Sequence, residues 1–280
     1  MTRYLVYDIE TIPETDTASD WEPKQLCKGC GACLHNPDPF PDLHVHRIVC
    51  IGMLLLDDEL NLVKAGCAGN GLPYEDERAK VERFIEVASY KREGVAMRLA
   101  SGKALTEQPQ IAPASLVDFN GRGFDMPVIQ SRAFHYGLPM PFYFAPQPDN
   151  YGKVSSWSKP YRDKYAGRHI DLCDEWSNHG SVRRPHLHSL ARTIGLPGKG
   201  SVDGSDVARL YREKSYDDID RYCREDVYQT AILFLRWLHL KGDLTAHTCR
   251  DRINQILAHA GESGFHDPFL SQINKERLLP

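Results

Sequence analysis

No apolar run in this chain is longer than Ile48 to Leu56, which is strand-sized. A membrane-crossing helix needs roughly 20 consecutive apolar residues, so none is expected here. Residues 47–56, Arg-Ile-Val-Cys-Ile-Gly-Met-Leu-Leu-Leu, read instead as a buried strand. Asp57-Asp58-Glu59 supplies a turn, and 60–68 returns as a second strand of a hairpin. Residues 3–9, rich in Tyr, Val and Leu, form a strand ahead of it, and Leu116 to Phe119 and His169 to Leu172 are short strands. Between and after these, helical spacing of apolar residues predicts helices over 75–91, 125–136, 187–194, 205–212 and 216–240. Strands that begin as a hairpin and then alternate with helices indicate an α/β fold with a sheet of mixed direction.

At 280 residues the chain can bury a full core. The expected organisation is one domain over 1–242, with a Cys/His-rich insertion at about 20–46, and a helical C-terminal extension over 243–280. The first residues carry no basic region followed by an apolar stretch and a small-residue cleavage site, so the expected location is cytoplasmic. A net charge of −4 argues weakly against nucleic-acid partners, many of which bind basic proteins. Four of those negative charges, however, fall in motifs suited to holding cations.

The motifs are Asp8 and Glu10 in Tyr-Asp-Ile-Glu-Thr, Asp125 in Phe-Asn-Gly-Arg-Gly-Phe-Asp, and Tyr222 and Asp226 in Tyr-Cys-Arg-Glu-Asp. On a strand, residues i and i+2 point to one face, so Asp8 and Glu10 project together. On a helix, residues four apart share a face, so Tyr222 and Asp226 do too. Asp125 stands at a predicted helix start, where the helix dipole favours a carboxylate. Taken singly, each has a plainer reading: a solvated strand face, an N-cap, a charged helix surface. Together they would repel by roughly 1 kcal/mol per pair near 4 Å in water and about 4 at an effective dielectric of 20. Hard carboxylate oxygens of this kind select Mg²⁺ or Mn²⁺, and a pair of such ions is a known device for cleaving phosphodiesters.

With the motifs in this order, the chain resembles the DEDD-type 3′–5′ exonucleases of the tyrosine subclass. Within that group it is most similar to the proofreading domain of B-family DNA polymerases and to stand-alone, predicted polymerase-B-like exonucleases. Asp8-Ile9-Glu10-Thr11, Phe119 to Asp125 and Tyr222 to Asp226 carry the resemblance, which extends over residues 3–12 and 44–240. It implies a ribonuclease-H-like fold with a mixed central sheet of about five strands flanked by helices. It also implies two Mg²⁺ or Mn²⁺ ions on Asp8, Glu10, Asp125 and Asp226, with Tyr222 positioning or deprotonating the attacking water. Thr11, Asn120 and Phe124 would contact the terminal nucleotide, and the product would be a nucleoside 5′-monophosphate. The substrate expected is the 3′ end of a single strand, DNA ahead of RNA. An exoribonuclease and a non-catalytic nucleic-acid-binding protein are the alternatives.

Two further features stand outside the acid motifs. Residues 151–168 interleave aromatics, Trp157 and Tyr165 among them, with lysines and arginines. Such mixtures hold single strands by stacking and phosphate contact, and they equally describe a loop packing on the core. Lys199, in a Gly-rich turn, is a weaker phosphate contact. Finally, Cys27, Cys30, Cys33 and His35 cluster at a spacing that suits structural Zn²⁺ or part of an iron–sulfur site. Its fourth ligand is His35, His44, His46 or Cys67.

Overall fold

The structure, a computed structural model, describes residues 3–14, 41–89, 113–146, 155, 158–165, 167–198, 204–262 and 266–279. Five strands occur among them: β1 (Tyr4–Pro13), β2 (His46–Leu56), β3 (Leu62–Cys67), β4 (Ser115–Asp118) and β5 (His169–Asp171). The helices are α1 (Glu77–Ser89), α2 (Asp125–His135), α3 (Pro141–Phe144), α4 (Leu172–Trp176), α5 (Leu187–Thr193), α6 (Val207–Arg212), α7 (Tyr216–Leu240), α8 (Ala246–Gly261), α9 (Asp267–Leu270) and α10 (Lys275–Leu278).

The sheet order is β3-β2-β1-β4-β5. β2 pairs antiparallel with both β1 and β3, while β4 runs parallel to β1 and β5 parallel to β4. The fold is therefore α/β, with a mixed five-stranded sheet flanked by helices. β1 runs four residues beyond the expected end, to Pro13, because β2 stays paired with it down to His46. The register shifts between Glu10 and Thr11. A bulge bends its strand and re-aims side chains, and this one lies beside the first acid motif.

Side-chain alternation along β1 divides the core. Leu5, Tyr7 and Ile9 pack with Val81 and Phe84 of α1 and with Met126 and Ile129 of α2. Val6 faces the other way, into a cluster with Leu54, Val117 and the apolar side of α7. Val227, Ala231, Ile232, Phe234 and Leu235 of α7 are all buried there. Each fully buried side chain of this size is worth about 1.5–3 kcal/mol, so the sheet rather than intrinsic propensity holds the helix. The same cluster continues through Cys249, Ile253 and Ile256 of α8 to Phe269 and Leu278.

A buried ion network fixes α2 on the opposite face. Arg132 donates from Nε to Glu77 Oε1 at 2.7 Å and from Nη2 to Glu77 Oε2 at 2.6 Å, and also pairs with Glu14. Glu77 accepts the Ile48 amide and the Tyr136 hydroxyl as well, at 2.7 and 2.8 Å. α1, α2, β2 and the chain just after β1 thus share one set of charges, with the bidentate geometry that makes Arg–carboxylate pairs strong.

Candidate active site

By the alternation that sends Val6 towards α7, Asp8 and Glu10 project to the α7 side of β1. What lets α7 come close is Gly52, the β2 residue paired with Asp8. A Cβ there would stand 2.8 Å from Val227 Cγ2 and 2.9 Å from Cys223 Sγ. In its absence Cys223 Sγ accepts the Gly52 amide at 3.2 Å and sits 3.5 Å from the Asp8 carbonyl oxygen. Oxygens of Asp8 and Glu10 and the Cys223 sulfur lie within 4.8 Å of one another.

On either side of Cys223, α7 presents Tyr222 and Asp226. They share a face as their spacing requires, and the Tyr222 hydroxyl is hydrogen-bonded to Asp226. Asp226 is buried; its Oδ1 accepts from Gln229 Nε2 at 3.1 Å, and His188 Nδ1 of α5 stands 3.8 Å away.

Asp125 arrives from the other face. The parallel ladder between β1 and β4 ends at Val6 and Val117, so the Ile9 amide lies past the last β4 partner. Asp125 Oδ1 takes that amide at 3.1 Å. The N-cap residue of α2 is Phe124, and Asp125 is the first helical residue. Its carboxylate ties the helix start to β1 instead of serving as an N-cap.

The acids act on one another. Burial first, then the charges of Asp125, Glu10 and Asp226, pushes the Asp8 carboxyl well above its ordinary range. Burial, Asp226 and Asp125 do the same to Glu10. Asp125 is raised by burial and by Asp118, although the Ile9 amide pulls it down. The Tyr222 phenol is pushed far up by burial and then by Asp226, Glu10 and Asp8, so it keeps its proton. The donors Asp8, Glu10, Asp125 and Asp226 offer are hard oxygens, and their mutual repulsion is what a divalent cation relieves, so they fit Mg²⁺ or Mn²⁺.

A match over residues 38–272 places the sequence in a family described as a predicted 3′–5′ exonuclease related to the exonuclease domain of PolB. The chain belongs to that family. Asp125, Tyr222 and Asp226 lie within the matched residues, and Asp8 and Glu10 precede them. Among solved structures, the chain is similar to the family B DNA polymerase from the hyperthermophilic archaeon Pyrobaculum calidifontis, with 15% sequence identity and a TM-score of 0.49. The match covers 92% of this chain, which spans 29% of the polymerase. No curated protein matches.

Around the acids, the structure places the other expected contacts as follows. Thr11 Oγ1 is 2.9 Å from His46 Nδ1, and His46 packs edge-on against Phe124 at 5.1 Å. Asn120 adopts φ +66°, and its Oδ1 accepts from Arg184 Nη1 at 3.1 Å. Tyr165 is 61% exposed, with the ammonium groups of Lys159 and Lys164 over its ring at 5.4 and 5.0 Å. Trp157, Lys199, Cys27, Cys30, Cys33 and His35 lie outside the described residues. Of the fourth ligands weighed for the cysteine cluster, His46 has both ring nitrogens engaged, by Thr11 and the Pro41 carbonyl, and Cys67 lies beside Cys50 and Asp220.

Sequence reasoning passed over the layer behind the acids. Asp118 closes β4 buried, 2.5 Å from His169 Nε2, and its Oδ1 accepts the Gly121 amide at 3.2 Å. Asp171 caps α4 and also accepts the amides of Asn120 and Arg122 at 2.8 and 3.1 Å. Burial and Asp118 push Asp171 up to about 6 even so. Both hold the Asn120–Arg122 turn that leads into Asp125. A signal was present: Leu116 and Asp118 share strand parity, and an acid in phase with a core leucine needs a partner.

Proposed function

We propose that this chain removes nucleoside 5′-monophosphates one at a time from the 3′ ends of single-stranded DNA, as a tyrosine-type DEDD exonuclease. The observation carrying this reading is the meeting of three elements: β1 brings Asp8 and Glu10, the start of α2 brings Asp125, and α7 brings Tyr222 and Asp226.

Asp8, Glu10 and Asp226 would hold one divalent cation, Asp8 would share a second, and Asp125 would complete the set. Mg²⁺ or Mn²⁺ bound there supplies charge neutralisation at the phosphate and activation of the attacking water. Without metal, burial and the neighbouring acids keep the Tyr222 proton in place, and a free phenol with a pKa near 10 is already a poor base at neutral pH. Its hydroxyl, anchored on Asp226, instead orients the water oxygen towards phosphorus. As the new P–O bond forms, the bond to the 3′ oxygen of the penultimate nucleotide breaks, and that oxygen takes up a proton to become the new 3′ hydroxyl. Asn120, Thr11 and Phe124 would meet the terminal nucleotide, and exposed Tyr165, with Lys159 and Lys164 over its ring, would stack and pair with the strand.

The test uses 3′-labelled single-stranded DNA and RNA with Mn²⁺, comparing the natural chain with Asp8→Ala. Mononucleotide release from DNA that is lost in Asp8→Ala supports the proposal. Release from RNA alone moves the reading to an exoribonuclease, which would need a contact to the 2′ hydroxyl. Inertness towards both polymers would overturn it.

A further inference from the structure

A second group of donors stands behind the acid cluster, on the far side of Cys223. Cys50 of β2, Cys67 at the end of β3 and Asp220 of α7 each place one donor atom within 4.8 Å of the other two. Three elements distant in sequence therefore converge on one point. Cys50 is buried and in hydrogen-bonding contact with both Cys67 and Cys223. Cys67 is half-buried. The Tyr74 hydroxyl donates to Asp220 Oδ1 at 3.1 Å, fixing that carboxylate from outside as partners of metal ligands commonly do.

We propose that Cys50, Cys67 and Asp220 form a binding site for a thiophilic divalent cation, Zn²⁺ in the first instance, distinct from the carboxylate site. Tetrahedral zinc with sulfur near 2.3 Å and oxygen near 2.0–2.2 Å holds its ligand atoms about 3.5–3.8 Å apart. The three donor atoms, within 4.8 Å of one another, stand about an ångström wider than that. Two thiolates select against Mg²⁺ and for zinc. On binding, the Cys50 and Cys67 protons leave to solvent, so the site gains two thiolates, one carboxylate and one dication, for a net charge of −1. The Lys80 ammonium offsets it. That side chain is buried, donates to the Val49 carbonyl at 2.7 Å and to the Tyr74 carbonyl, and is electrostatically coupled to Cys50 and Asp220.

The plainer account is three side chains hydrogen-bonded in a core. It explains Cys50, but not why a carboxylate stands beside a pair of thiols with a buried lysine close to Cys50 and that carboxylate. A cation here would join β2, β3 and α7 directly behind Gly52 and Cys223, bracing the helix that carries Tyr222 and Asp226 against the strand beside Asp8. Nothing in this site depends on the nuclease reading, because it uses none of the four motif carboxylates.

The probe is Co²⁺, added to reduced, metal-stripped full-length protein carrying Cys27→Ser, Cys30→Ser and Cys33→Ser. The expected result is a thiolate-to-cobalt charge-transfer absorption that saturates at one equivalent and is displaced by Zn²⁺. It should persist when Asp8→Asn is added, and weaken at least tenfold in apparent affinity with Cys67→Ser or Asp220→Asn. Should Cys50→Ser fail to fold, half-buried Cys67 decides the matter. A natively folded protein without the absorption, or one that keeps it unchanged after Cys67→Ser, overturns the site.

Discussion

Asp8 shows why a half-buried acid in a cluster is informative at the scale of a single residue. Apart from a weak thiol donor, Cys223 Sγ at 3.9 Å from its Oδ2, little near Asp8 favours a carboxylate: burial and four neighbouring acids oppose its charge. Asp8→Asn removes that repulsion while keeping the shape. In metal-free protein at neutral pH it should therefore stabilise, by about 1–3 kcal/mol, even as exonuclease activity falls by on the order of 10²–10⁴. A melting temperature raised in chelator, with activity lost in Mn²⁺, is the expected pair of results; a lowered one would mean that the carboxylate holds the fold. Tyr222→Phe separates orientation from binding. Its ring stays packed and only the hydroxyl on Asp226 is lost, so kcat should drop on the order of 10²-fold with KM nearly unchanged. An equal loss confined to KM would assign the hydroxyl to substrate binding.

Among elements, the site depends on how closely α7 lies on the sheet, and Gly52 sets that distance. Gly52→Ala would press a methyl into Val227 and Cys223 and to 3.3 Å from the Cys223 carbonyl. The expected cost is about 1–3 kcal/mol of stability, as for other overpacked cores, with a disproportionate loss of activity as Tyr222 and Asp226 move off Asp8. Gly66→Ala in β3, whose nearest contact would be 3.7 Å away, serves as the control and should change stability by roughly 0.5 kcal/mol or less. Equal behaviour of the two variants would show that the helix has room to spare. Gly52 also marks where the sequence stopped being legible. The strands, the long helix and the pairing of Asp8 with Glu10 and of Tyr222 with Asp226 follow from periods of two and of three to four residues, which are local properties. That a glycine inside an apolar run admits a helix from 171 positions away is not local. Nor is the attachment of Asp125 to the Ile9 amide, which depends on where the β4 ladder happens to stop. The Asp57 turn was readable because an Asp side chain can close it on its own neighbours, Glu59 and Asn61. The Asp171 cap was not, since its carboxylate serves a second loop 49 to 51 residues earlier.

Over the whole molecule, the same acids make stability a function of pH with a sign opposite to the common one. Unfolded, Asp and Glu titrate near 4; folded without metal, Asp8, Glu10 and Asp125 titrate well above that. The folded chain then binds more protons than the unfolded one, so the stability these groups contribute is complete below about pH 4 and is lost as pH rises through their folded values. Asp171, raised to about 6, adds a decline between about pH 4 and 6. It sits behind the Asn120 turn, hydrogen-bonded to amides, and its charge also reaches Asp125. Saturating Mg²⁺ or Mn²⁺ favours the ionised forms of Asp8, Glu10 and Asp125 and should bring their folded titration down, flattening the curve from about pH 4 upwards. Melting temperatures of chelated and Mn²⁺-saturated protein across pH 4–8 measure this directly. The two curves should meet near pH 4, where protonated acids bind no metal, and diverge steadily upwards. Parallel curves would mean that the cation binds somewhere other than these carboxylates, and a chelated curve that climbs with pH would mean that the cluster carries its charge without need of one.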